Sequence, residues 1–264
     1  MSIPRASFFF TTILFFLTSC SDDTQPLPLA PVALDELISV QQTPHSAGQQ
    51  VYEGMVYSLD SRPEPLFRYE RRVRSEGTNL VSNHVTYDSA GSIVVIQSAE
   101  HTSGYDLLRA GMIHRQTGAS GSVEVSGNRA LFTLDEGGRV SRASEKVDDP
   151  VVAGPTMFGY IVAHWHELMS GAALPIRFAL IERLETIGFT LERVDSPQDQ
   201  TTIRMQASNP LLRLAVASTY FHFDTKTRKI LEYTGRVPPL ESVNGRLRAL
   251  DARVAYHFVA ADFR

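Results

Sequence analysis

From Val51 onward, apolar and polar residues alternate in short runs, and turn residues separate the runs. A period of two marks half-buried strands. VYEGMVY (51–57) opens the series, and SRPEP (61–65) breaks it. Residues 66–74 set Phe67, Tyr69 and Arg71 against Arg68, Glu70 and Arg72. Runs 81–87 and 92–99 flank Asp88-Ser89-Ala90-Gly91, a predicted hairpin loop. Runs 104–115, 121–125 and 129–134 continue the style, and a Glu136-Gly137-Gly138-Arg139 turn follows. Further on, 174–184 and 186–194 predict a hairpin, followed by runs 201–208, 219–224 and 229–237. The last run, 250–259, sets Leu250, Ala252, Val254, Tyr256 and Phe258 against Asp251, Arg253, Ala255 and His257.

One segment changes period. Residues 157–169, from Met157 to Met169, read MFGYIVAHWHELM. In it Phe158, Ile161, Val162, Trp165, Leu168 and Met169 recur at helical spacing. Thr156 stands where a first-turn cap belongs, and Gly171 where a helix ends. The pattern predicts one amphipathic helix. Helices are missing between the other strands, so a parallel sheet is disfavoured. The expected fold is mainly β (α+β): a strongly curved antiparallel sheet or half-barrel of about ten to twelve strands, wrapped around the 157–169 helix. No fixed repeat suggests a solenoid or propeller.

Composition changes the picture chiefly at the N-terminus. The 264 residues are 43% hydrophobic, which supports a globular core. A net charge of −4 leaves no basic footprint, so no nucleic-acid partner is expected. Arg5 precedes the apolar stretch 8–17, which is interrupted only by Thr11 and Thr12. Such a stretch falls short of the roughly 20 residues a helix needs to span a bilayer and suits a secretory signal. Cys20, just beyond its end, is the only cysteine, so no internal disulfide can form.

Leu17-Thr18-Ser19-Cys20 resembles the lipobox of bacterial lipoproteins. The resemblance implies cleavage of residues 1–19, acylation of Cys20, and membrane anchoring through two or three acyl chains. Ser21 in place of an aspartate implies the periplasmic face of the outer membrane. Residues 20–50 carry Pro26, Pro28, Pro31 and Pro44 and read as a lipidated tether. Residues 51–264 then form a single β-rich periplasmic domain.

Candidate chemistry in that domain is sparse. His164-Trp165-His166-Glu167 is the densest metal-like cluster. On a helix, residues two apart diverge by about 200°, so His164 and His166 do not chelate one ion. Trp165 is then the buried member. Gly118-Ala119-Ser120-Gly121-Ser122 does not match a nucleophile elbow. No catalytic residue, metal or cofactor is assigned. Arginines outnumber lysines 22 to 3, and Arg68, Arg71, Arg72 and Arg74 lie beside Glu70 and Glu76. That group reads as a solvated strand face laced with ion pairs.

If the sheet curls, its aromatic residues line the concave face. Trp165, Phe178, Phe189, Phe221, Phe223 and Tyr256 are the expected lining of a ligand cavity. The lipobox, the strand meander and the central helix look like the periplasmic half-barrels of the lipoprotein carrier and its receptor. That resemblance implies a groove for acyl chains and carries over no individual residue. The expected function is non-enzymatic binding of a lipid or other apolar ligand. The alternatives are an envelope assembly protein that docks a protein partner, and a hydrolase whose His, carboxylate and hydroxyl the fold would have to assemble.

Overall fold

The computed structural model describes residues 50–60 and 63–260. The signal segment, Cys20 and the proline-rich tether lie outside the described residues. The alternating runs form eight strands in the first half: β1 (Gln50–Ser58), β2 (Phe67–Glu76), β3 (Asn79–Asp88), β4 (Ile93–His101), β5 (Leu107–His114), β6 (Ala119–Ser126), β7 (Arg129–Glu136) and β8 (Arg139–Lys146). A two-residue strand, β9 (Val151–Val152), leads through the 3-10 turn Gly154–Thr156 into helices α1 (Met157–Ala163) and α2 (Trp165–Met169). Then follow β10 (Leu174–Leu180), β11 (Glu185–Val194), β12 (Gln200–Ala207), the short helix α3 (Pro210–Arg213), β13 (Thr219–Asp224), β14 (Ile230–Val243) and β15 (Arg246–Ala260).

All fifteen strands belong to one curved, unclosed sheet, in the order β8-β7-β6-β5-β4-β3-β2-β1-β15-β14-β13-β12-β11-β10-β9. The first and last strands pair at its centre. From them one meander runs out to β8, and the other returns inward from β9. Pairing is antiparallel throughout except for β9 with β10, which the two helices connect in parallel.

The topology itself forces the curl. β8 and β9 are the opposite edges of the sheet, yet only residues 147–150 separate them in the chain. In a flat sheet β5 and β14 would lie six strand spacings apart, roughly 29 Å. Instead His114 Nε2 donates to the Pro238 carbonyl at 3.2 Å. The Gln116 side chain donates to the Leu240 carbonyl at 2.8 Å and accepts from the Leu240 N–H at 2.9 Å. That amide takes the place of a missing strand partner. At the seam between the edges, Glu145 of β8 accepts from the Thr186 N–H at 2.5 Å and lies 3.6 Å from Arg177.

Several elements differ from the sequence reading. The sheet has fifteen strands where about ten to twelve were expected. The pattern passed over β8 because it is an edge strand with largely exposed side chains, including Arg139, Arg142 and Lys146. It also stopped β14 at Val237. That strand continues through Pro238 and Pro239, where the register against β15 shifts between Val237 and Leu240, and a bulge tolerates proline.

The helix is two helices. His164 leaves helical geometry at φ −97°, ψ 22°. Its ring packs 4.3 Å from that of Tyr160, and its Nδ1 meets Glu167 at 3.0 Å. Met157, Phe158, Tyr160, Ile161, Trp165 and Leu168 are buried, so the apolar stripe survives the break. The Thr156 hydroxyl does not cap the helix. It donates to the Ala153 carbonyl and accepts the Ala153 N–H, closing the turn that precedes the helix. Gly171 ends α2 at φ +89°.

Packing divides the interior in two. Helices α1 and α2 lie on the second half of the sheet, against Ile176, Leu191, Ile203, Phe221 and Phe223. A second cluster, rich in Ala99, Ala110, Ala130 and Ala179, joins the β4–β7 region to Ile181 across the seam. Its small residues let the two parts of the sheet approach closely. The outer face of β2 carries the ion-pair ladder: Arg68 to Glu70 at 2.7 Å, Arg72 to Glu70 at 3.1 Å and Arg74 to Glu76 at 2.9 Å. Arg71 does not share that face. It points inward and is 2% exposed.

Candidate functional site

The helices fill only part of the space inside the sheet. Next to the start of α1, a cavity of about 480 Å³ remains between β2–β7 on one side and β10 and β12–β15 on the other. Its size falls within the roughly 300–1,000 Å³ of small-molecule sites. Met112, Leu134, Met157, Phe158, Phe178, Ile181, Met205, Phe221 and Val237 supply most of the apolar wall. The exposed residues Glu136, Glu182, Arg236 and Ala249 mark its mouth.

The six residues expected to line a cavity separate into two groups. Phe178, Phe221 and Tyr256 line it. Trp165, Phe189 and Phe223 belong to the solid core around the helices instead. Trp165 meets Phe223 edge-on at 5.6 Å, and that contact lies under α2. The strand pattern assigns a residue to the concave face, but the helix decides which part of that face is covered.

The deep end of the cavity is polar, which the apolar pattern did not foretell. Tyr69 on β2 lines it and is 5% exposed, and its hydroxyl has no hydrogen-bond partner. His84 on β3 lines it too, its ring stacked on that of Tyr69 at 5.9 Å and its Nε2 unpaired. Arg71 stands opposite His84 in the β2–β3 ladder. Its guanidinium lies 5.0 Å over the Phe158 ring and donates to the Pro155 carbonyl at 2.6 Å. Burial, and then the neighbouring Arg71 charge, push the His84 pKa down to about 3. Burial likewise raises the pKa of Tyr69 well above its usual value. Both groups are therefore neutral at physiological pH.

This depression makes a pH prediction. Unfolded His84 takes a proton below its ordinary 6.5, while the folded ring resists protonation down to about 3. Between those values the unfolded state binds more protons, so stability is lost as the pH falls through that window. The loss from this one group is about 2 kcal/mol at pH near 5. Urea unfolding near pH 7.5 and pH 5 should show a clearly smaller acid loss in His84→Gln. An identical loss in both proteins would contradict the assignment.

The remaining polar clusters do not assemble a catalytic constellation. The Ser82 hydroxyl and His101 Nε2 are 2.9 Å apart, and His101 Nδ1 donates to the Thr102 carbonyl. The orienting partner is thus a carbonyl, not a carboxylate, and both side chains are 0% exposed. That pair braces β3 against β4. His164 and Glu167 sit on the outer side of the helix pair, beside His166. Among the described residues, no three His, Cys, Asp or Glu side chains converge as metal ligands. No described helix is long and apolar enough to cross a membrane.

No known protein-family model matches the chain, and neither does any curated protein.

Proposed function

We propose that this protein is a lipid-anchored lipoprotein of the bacterial cell envelope, held at the periplasmic face of the outer membrane by acylated Cys20, and that it binds an apolar ligand without catalysis. The observation that carries the binding reading is the cavity of about 480 Å³, walled by apolar side chains from both parts of the curled sheet. Close-packed interiors do not keep voids of this size without reason, because unfilled apolar space forfeits dispersion contacts. Its mouth gives a ligand a way in. The lipobox-like Leu17-Thr18-Ser19-Cys20 supports the anchor.

Solvent extraction of the purified protein, followed by mass spectrometry, should recover an apolar molecule in near-stoichiometric amount. The protein should also bind a neutral fluorescent naphthylamine. Ala110 lines the cavity and is 3% exposed, so Ala110→Phe places a ring in the void and should reduce both signals at least about tenfold. Labelled palmitate should be incorporated into the chain and not into Cys20→Ser. Repeated preparations that yield no ligand and bind no fluorophore would overturn the binding reading. A stable protein crosslinked across the cavity mouth would favour the assembly-factor alternative.

A further inference from the structure

We propose that the deep end of the cavity is a carboxylate site, and that the ligand is a long-chain fatty acid bound carboxylate-first. The inference rests on the apolar-ligand reading and adds the headgroup and its orientation. Two unsatisfied groups line that end, and a third belongs to Arg71, which pairs with His84 in the β2–β3 ladder and packs on Phe158 of the lining. The Tyr69 hydroxyl and His84 Nε2 are buried without partners, and so is Arg71 Nε. Among the described residues no carboxylate pairs with Arg71, although it is 2% exposed.

A buried cation without a counter-charge is costly, and an orphaned buried polar atom calls for an explanation. A single carboxylate answers both conditions. It brings one negative charge for the one arginine, and its two oxygens offer about four acceptor positions to a Tyr O–H, a His N–H and an Arg N–H. A phosphate monoester would bring close to two charges against that single cation. An alcohol would leave the arginine uncompensated.

The mouth is unsuited to the same headgroup. Arg236 is already held there by Asp251, at 2.7 and 3.1 Å, and Glu136 and Glu182 repel an anion. The apolar wall between the mouth and Tyr69 then takes the acyl chain.

Palmitate and hexadecanol, which share a chain length, separate the headgroup from the chain. Displacement of the neutral naphthylamine by each should give at least about a tenfold preference for palmitate, the scale of one charge-assisted hydrogen bond. Arg71→Met and Tyr69→Phe should bring the ratio of the two affinities towards one. Arg68→Met, on the outer ion-pair ladder, should keep the preference. Thermal melting checks that each variant folds, and Tyr69→Phe decides if Arg71→Met does not. Equal binding of both ligands to the unaltered protein would overturn the carboxylate site and leave the apolar-ligand reading standing. A preference that persists in the folded variants would overturn the assignment to these residues. Binding of neither ligand would overturn both.

Discussion

Gly121→Val should destabilise the protein by about 3 kcal/mol or more, at the upper end of what overpacking costs. Gly121 lies in β6, where the seam cluster presses Ile181 against the sheet. A Cβ built there would stand 2.6 Å from Ile181 Cγ2 and 2.6 Å from the Thr133 carbonyl oxygen. The isoleucine methyl could move aside, but the carbonyl belongs to β7, whose ladder with β6 pairs Gly121 with Leu134. The strand must therefore shift, or the turn bearing Ile181 must lift from the sheet. Either response loosens the contact that holds the curl shut, because Ile181 follows β10 near the opposite edge. For a domain of this size the expected loss in melting temperature is about 6–12 °C. Gly121→Ala should produce a smaller loss of the same sign. Valine at this position with unaltered thermal and urea unfolding would show that the two parts of the sheet are not packed as described.

Phe221→Ala should cost about 3–5 kcal/mol, the usual range for a buried phenylalanine truncated to alanine. Phe221 is 1% exposed, with its ring edge-on to Phe158 at 5.9 Å and to Tyr233 at 5.4 Å. It forms part of the wall between the helix-covered core and the cavity, so its removal joins new empty space to the existing void. Phe223, two residues along the same strand, is 0% exposed and packs on Trp165 without touching the cavity. Phe223→Ala should destabilise by a similar amount. The two variants part company in ligand binding, measured at a temperature where both remain folded. Phe221→Ala should weaken or broaden it, and Phe223→Ala should leave it nearly as it was. Equal effects on binding would mean that the helix-covered core and the cavity are not separate compartments.

Much of this architecture was legible in the chain. Alternation in β2 already placed Arg71 with Phe67 and Tyr69 and apart from Arg68, Glu70 and Arg72. The same alternation was available for β3, whose position opposite Arg71 falls to His84. What hid the polar end of the cavity was residue type. Four arginines beside two glutamates look like a solvated ladder, and three of them are one. The fourth obeys the period of the strand, not the company of its neighbours. Edge strand β8 was hidden for a related reason: its less exposed face carries Ser141, Ala143 and Glu145, so it shows no apolar period. The proline pair in β14 hid the last six residues of that strand, 238–243, for a local reason, since proline withdraws a ladder donor.

The sequence by itself determined the class of fold, the course of most strands, the place of the helical segment and the face each side chain takes. These depend on local period, and local period is written residue by residue. Only the tertiary structure decided that the helix breaks at His164, that Trp165 packs on Phe223 in the solid core, and that Phe178, Phe221 and Tyr256 keep a face to the cavity. The cavity is the space left when strands far apart in the chain are brought together, as His114 is with Pro238 across 124 positions. A remainder of that kind has no local pattern. It follows from how much of the concave face the helices fill, and so do the identities of the polar groups left facing it.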